Sequence, residues 1–327
     1  VENNDDNVLI EFSAPKHMYV KGIKFNFDEY YPAAKGIRDY LLNYGESEEE
    51  RGEFLEKVVA VLDRIRGEII YAEEHYKNGI KYLQANEYGK AAVELKRAVE
   101  FNPEFDEAHL QLGLVYHRGG MLDEAITQFQ RALEISPRYA AAHSNLGSIY
   151  YFQGMLEEAT NEFKMALKVD PNLPVVHNNL GGVYYKKGMV EAAISEVKKA
   201  LNSDAGYAEA HKNLGFIYLH QGLVSLAIEE FKQFIAIDDS SAFVRATLGS
   251  IYLNKREIKE AEKELLRALE IDPQYPNAHF YLASVYERVD QKKAIRQWKR
   301  YLEVARGQPG EIQNVLKAEE RLRQLER

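Results

Sequence analysis

The chain has 327 residues, of which 46% are hydrophobic and 28% charged, enough apolar material to bury a core and too much for a disordered chain. It contains no cysteine, which excludes disulfides, thiolate metal sites and a thiol nucleophile. The net charge is −9 with no basic run, which speaks against nucleic acid, and no stretch of about 18 apolar residues is present to span a membrane.

Residues 1–71 carry 15 acids against 9 bases, and hence −6 of the −9. The first residue is Val1, and the acidic residues after it do not form the basic start of a signal peptide. Removal of a leader or a cut in the chain would account for that beginning. Residues 8–27 read as extended, with Tyr19, Ile23, Phe25 and Phe27 on one face of a period-two pattern. Residues 31–44 read as a helix between Pro32 and Gly45. Ser47 and Glu50 form a capping-box pattern, so 46–71 reads as a helix or two that cap the periodic region beginning at residue 72. The stretch around Tyr19, Phe25 and Phe27 has three uses open to it. It can pack on the outer face of the repeats, lie in their groove, or bind a separate partner.

From residue 72 the chain is periodic. Gly79, Gly113, Gly147, Gly181, Gly215 and Gly249 are each 34 residues apart. Tyr82, Tyr116, Tyr150, Tyr184, Tyr218 and Tyr252 keep the same step, as do six Ala from Ala91 to Ala261. Pro103, Pro137, Pro171 and Pro273 close their units. Each unit reads as two amphipathic helices. In 106–139, His109, Leu112, Gly113 and Tyr116 share a face of the first helix. Gly119 and Gly120 break it, Asp123 is placed to cap the second helix, and Ser136-Pro137 ends that one. Gly113 and Ala125 are small where the two helices cross. A single hairpin cannot bury its apolar face, whereas stacked hairpins can.

The pattern His109-x-x-Leu112-Gly113-x-x-Tyr116, followed by Ala125, Phe129 and Pro137, resembles the tetratricopeptide repeat (TPR), with His where Trp is frequent. The resemblance implies an all-α, right-handed solenoid of about seven helix-turn-helix repeats with a small N-terminal extension over 1–71. The repeats fall at 72–105, 106–139, 140–173, 174–207, 208–241, 242–275 and 276–309. Residues 310–327 are highly charged and suit a C-terminal capping helix. Three departures stand out. Ala294 comes one residue early, Ala205 and Asp239 replace the closing Pro, and Phe234 replaces a small Ala, which would press the next repeat outward.

No phosphate loop, H-E-x-x-H or G-x-S-x-G motif is present, so the chain reads as non-enzymatic, with no cofactor implied. His75, His109, His143, His177, His211 and His279, with Arg245, occupy one repeat position. Neighbours in that series would lie roughly 10 Å apart, too far to share a metal, and are assigned to packing between helices.

Binding is carried by positions that differ between repeats. The residue before each Leu-Gly pair looks into the concave groove in TPR proteins, and here that series includes Gln111, Asn145, Asn179 and Asn213. The three Asn resemble the asparagine ladder of O-linked N-acetylglucosamine transferases, which implies a grip on a peptide backbone by side-chain amides that both donate and accept. A turn further on come Arg118, Tyr151, Tyr185, Lys186 and His220, with Lys212 beside the Asn series. Aromatic and basic groups together suit an extended segment with apolar side chains and some acidic character. The expected partner is therefore a protein or peptide, bound in the groove of repeats two to five. Two alternatives remain open. The TPR style and the start at Val1 resemble exported bacterial TPR lipoproteins such as pilotins with the anchor removed, which implies a role in envelope assembly. That leans toward the periplasm or the outer membrane, with the cytoplasm as the alternative. Otherwise the chain is the recruiting module of a larger enzyme. Exchange of 19–27 between copies would give a homo-oligomer.

Overall fold

The computed structural model describes residues 10–13, 17–20, 23–26 and 48–327. The expected helix at 31–44 and the Ser47 cap lie outside these residues. The chain divides into two compact units, Val1–Gln153 and Gly154–Arg327, and each is described by itself.

The first unit opens with three short strands, β1 (Ile10–Ser13), β2 (His17–Val20) and β3 (Ile23–Asn26), in one antiparallel sheet. The extended character expected for 8–27 is therefore present, but as a meander with Val20 opposite Ile23 and Tyr19 opposite Lys24. Residues directly opposite one another share a face. Tyr19 thus goes with Lys24, while Ile23 and Phe25 go with Val20 and Met18. The common face expected for Tyr19, Ile23 and Phe25 fails because the antiparallel register sets Val20 and Met18, not Tyr19, opposite Ile23 and Phe25. Phe27 lies outside the described residues.

Five helices come next in this unit: α1 (Glu48–Gln84), α2 (Tyr88–Phe101), α3 (Asp106–Arg118), α4 (Leu122–Ile135) and α5 (Ala140–Phe152). In place of a separate capping helix before the repeats, α1 runs unbroken for 37 residues and becomes the first helix of the first repeat. Consecutive helices pack as hairpins around Leu95, Leu112, Phe129, Ile149 and the small Ala91, Ala125 and Ala132. Burying each of the large side chains contributes roughly 1.5–3 kcal/mol.

The second unit holds ten helices: α6 (Leu156–Val169), α7 (Pro174–Lys186), α8 (Val190–Ser203), α9 (Ala208–His220), α10 (Val224–Ile237), α11 (Ala242–Asn254), α12 (Ile258–Ile271), α13 (Pro276–Tyr286), α14 (Gln291–Ala305) and α15 (Ile312–Leu325). The pairs α7–α8, α9–α10, α11–α12 and α13–α14 are hairpins stacked in order. Within each unit, this is the packing of a TPR solenoid.

The small residues have the expected cause. A Cβ on Gly113 would lie 2.7 Å from the Phe129 ring, and one on Gly215 would lie 2.7 Å from Phe231. Between the two helices of a repeat the chain turns through a left-handed residue, Gly120, Gly154, Gly188 or Gly222. Asn86 and Arg256 hold the same conformation in the first and sixth repeats without being glycine, the latter at φ +63°. Asp123 does not cap α4. Met121 is at the N-cap, and Asp123 lies in the first turn, where its charge favours the positive end of the helix dipole.

The early Ala294 comes from the first helix, α13, which ends two residues sooner than its counterparts while the connection after it is one residue longer, and Asp290 caps α14 by accepting from the Lys293 amide. Phe234 is buried in the core, with the Lys212 ammonium 5.9 Å above its ring. Helix α15 closes the unit. Its Val315, Ala318 and Leu322 pack inward, and Arg321 donates to Glu287, which also accepts from Trp298.

Candidate functional site

The histidine series is a set of clamps rather than apolar packing alone. In repeat four, His177 Nε2 donates to the Pro171 carbonyl at 2.9 Å, and Nδ1 lies 2.7 Å from the Glu196 carboxylate on the second helix. His109 joins Pro103 to Gln128, His211 joins Ala205 to Glu230, and His279 joins Pro273 to Gln297. Each ring ties both helices of its hairpin to the turn that precedes them. In repeat six, Arg245 stands for His and Asp239 for Pro, and the two departures meet. Arg245 donates to the Asp239 carboxylate and, at 2.5 Å, to Glu264. The Arg245 hydrogen bond, reinforced by Arg267, holds the Asp239 carboxyl below the usual range. Among the described residues, no group of His, Asp and Glu is arranged to hold a metal.

With Leu, Gly and Tyr of each first helix facing the second helix, positions spaced i, i+3, i+4, i+7 on the opposite side form the inner face. The expected binding residues divide between the two units. In the first unit, Gln111 is half-buried on α3. Asn145 turns its amide back onto the Ala141 carbonyl of its own helix at 2.8 Å. Arg118 donates to the Tyr88 hydroxyl at 2.8 Å and lies over that ring, so it braces the start of α2. Tyr151 meets the exposed Phe152 edge-on.

In the second unit, Asn179, Tyr185 and Lys186 lie on α7, and Lys212, Asn213 and His220 lie on α9. Asn213 donates to Oδ1 of Asn178 at 2.8 Å, and Asn178 itself is 5% exposed. This joins the first helices of two successive repeats by a part-buried amide pair. The Tyr185 hydroxyl is hydrogen-bonded to His220 Nδ1 across the same gap. Lys212 is paired with Glu209 as well as lying over Phe234.

Sequence reasoning missed the aromatic centre of this face. Phe216 on α9 and Phe243 on α11 stack with centroids 5.2 Å apart, and Phe216 meets the buried Phe231 edge-on at 4.9 Å. Phe216 is three residues after Asn213, and Phe243 is four before Thr247. The helical neighbours of the Asn series were therefore the signal that would have found them.

Helices of this order and packing have been solved before. PilF of Pseudomonas aeruginosa is 24% identical, with a TM-score of 0.59 over 65% of this chain and 97% of its own. PilW, described as a widely conserved type IV pilus biogenesis factor, is 20% identical, with a TM-score of 0.58 and the same coverage. The Cut9–Hcn1 hetero-tetramer of the APC/C matches at 19% identity and a TM-score of 0.59 over 79% of this chain and 53% of the other. These likenesses are of fold. No curated protein sequence matches. The sequence model described as "TPR repeat" matches residues 79–120, 116–154, 147–188 and 249–290, and that described as "Tetratricopeptide repeat" matches 178–242. With nearly all of 79–290 matched and the matched residues folded as paired helices, the chain belongs to the tetratricopeptide-repeat family.

Proposed function

We propose that this chain is a non-enzymatic interaction scaffold that binds an extended protein segment along the inner face of α7, α9, α11 and α13. The observation that carries the reading is that face itself. It joins the amide pair Asn178–Asn213, the Tyr185–His220 pair and a half-exposed aromatic stack in one unit. Tyr, Phe and Asn are the side chains that give contact area and adaptable hydrogen bonds at low entropic cost.

The test is a random-peptide display selection on the full chain. Selected peptides are then measured against Ser250→Arg, on the inner face, and Lys263→Glu, on the outer helix α12. Binding should fall at least about tenfold with the first and hold with the second, since a buried hot-spot contact is worth more than about 1 kcal/mol. Peptides insensitive to Ser250→Arg contradict the proposal.

A second reading is a role in assembly of the bacterial envelope. It is favoured by the extent of the likeness to PilF and PilW, and no helix among the described residues is long and apolar enough to cross a membrane. Fractionation of the source cell tests it, with recovery away from the envelope as the contrary result.

A further inference from the structure

We infer that the Phe216–Phe243 stack is the specificity element of this face and takes one large, uncharged apolar side chain from an extended segment whose backbone N–H groups point at the floor. The inference rests on the inner-face reading of the second unit and gives the segment its chemistry.

Three observations carry it. The first is the platform. Phe243 is 48% exposed, while the Phe216 ring behind it is held edge-on by Phe231, which is fully buried. An exposed ring backed by a fixed ring is pre-organised, so a partner's side chain gains contact without first ordering the site.

The second is charge. Helix α11 contains a single charged residue, Arg245, and its guanidinium is buried against Asp239 and Glu264. On α9, Lys212 is neutralised by Glu209. Beyond the short α13, Glu287 is neutralised by Arg321. A partner's carboxylate or ammonium placed on the stack would lose water and meet no unpaired opposite charge, so its desolvation would go uncompensated. The acidic character expected of the partner from Arg118, Lys186 and His220 in the sequence is thus disfavoured at this point of the face.

The third is hydrogen-bond polarity. The Thr247 hydroxyl donates to the Phe243 carbonyl, Ser250 to Thr247, and Ser284 to Phe280. Their protons are committed to their own helices, and the groups they offer outward are lone pairs. A floor of acceptors matches the N–H groups of an extended segment and does not match proline, which has none.

The experiment applies random-peptide display selection to the full chain. The selected pool should show one position enriched in Leu, Ile, Phe, Tyr or Trp, without acidic enrichment beside it. For a synthetic copy of the leading peptide, Phe243→Ala should weaken binding about tenfold and Phe243→Trp should retain it. N-methylation of an amide flanking the anchor should weaken it comparably, and affinity should change less than about twofold between 0.05 and 0.5 M NaCl. Circular dichroism checks that Phe243→Ala remains folded, as the ring's exposure requires. If it does not, Phe243→Leu carries the same comparison, with reduced binding to aromatic anchors expected. Peptides that lose binding with Ser250→Arg but show no apolar enrichment, or are indifferent to Phe243→Ala, overturn this inference and leave the inner-face reading standing. Peptides indifferent to both changes, or a selection that yields no binder, overturn the inner-face reading as well.

Discussion

Replacing His177 by Ala removes a clamp whose every contact is defined. The ring is 7% exposed, its Nε2 donates to the Pro171 carbonyl at 2.9 Å, and its Nδ1 meets the Glu196 carboxylate at 2.7 Å. The substitution leaves Pro171's carbonyl without this donor. Among the described residues it leaves Glu196 with the exposed Lys199 as its charged partner. A neutral hydrogen bond contributes about 1 kcal/mol and one to a charged group about 1.5–3, to which lost ring packing adds. The expected cost is therefore about 3 kcal/mol. Glu196→Gln is the control, because it installs the His–Gln chemistry already present at His109–Gln128 and His279–Gln297. It should cost less than about 1 kcal/mol. Repeat arrays need not unfold in one step, so urea melts should be paired with amide hydrogen exchange resolved to α7 and α8. Faster exchange should centre on that hairpin. A loss below about 0.5 kcal/mol for His177→Ala, or equal losses for the two variants, would refute the clamp and return the histidine to plain packing.

Other consequences can be checked with the same melts. Arg256→Gly relieves a left-handed residue at a position where four other repeats have glycine, and should stabilise by about 0.5–1 kcal/mol. Gly215→Ala puts a Cβ 2.7 Å from the fully buried Phe231 and should destabilise by about 1–2 kcal/mol, the overpacking exceeding the gain in helix propensity. Burial, then the neighbouring Glu107 and Asp106, push the Tyr139 phenol up to about 12. Its folded pKa exceeds the unfolded value of about 10, so its contribution is complete below about pH 10 and is lost as pH rises through about 12. Tyr139→Phe should flatten that alkaline loss. Asp239 is shifted the other way, by Arg245 and then Arg267, so its contribution is present above about pH 4 and is lost as pH falls through its lowered pKa. Asp239→Asn should reduce the acid sensitivity in the melting temperature between about pH 5 and 2.

The hairpins were legible because a 34-residue period repeats Gly, Tyr and Ala where two helices cross, and only small residues fit there. The junction near residue 71 was not legible, since no proline or turn glycine separates the segment from the repeat and α1 simply continues. The sheet face was misread because the antiparallel register sets Val20, not Tyr19, opposite Ile23, which an alternation read along the sequence does not show. At the proposed binding face, the sequence pattern pointed to Asn213, Tyr185 and His220 by position. It did not find Asn178 or the phenylalanine stack, because their partners lie a repeat away and pairing between repeats has no fixed sequence signature. Asp239 and Arg245 read as two separate departures for the same reason, and only the structure shows that each compensates the other.

The central claim is that the inner face of the second unit is where a partner segment lies. A selected peptide carrying a photo-crosslinker at its apolar position, mapped by mass spectrometry on the intact chain, measures this directly. The account predicts adducts on α9 and α11 around Phe216, Phe243 and Ser250. Adducts concentrated on α10 and α12, the outer helices of the same repeats, would contradict it.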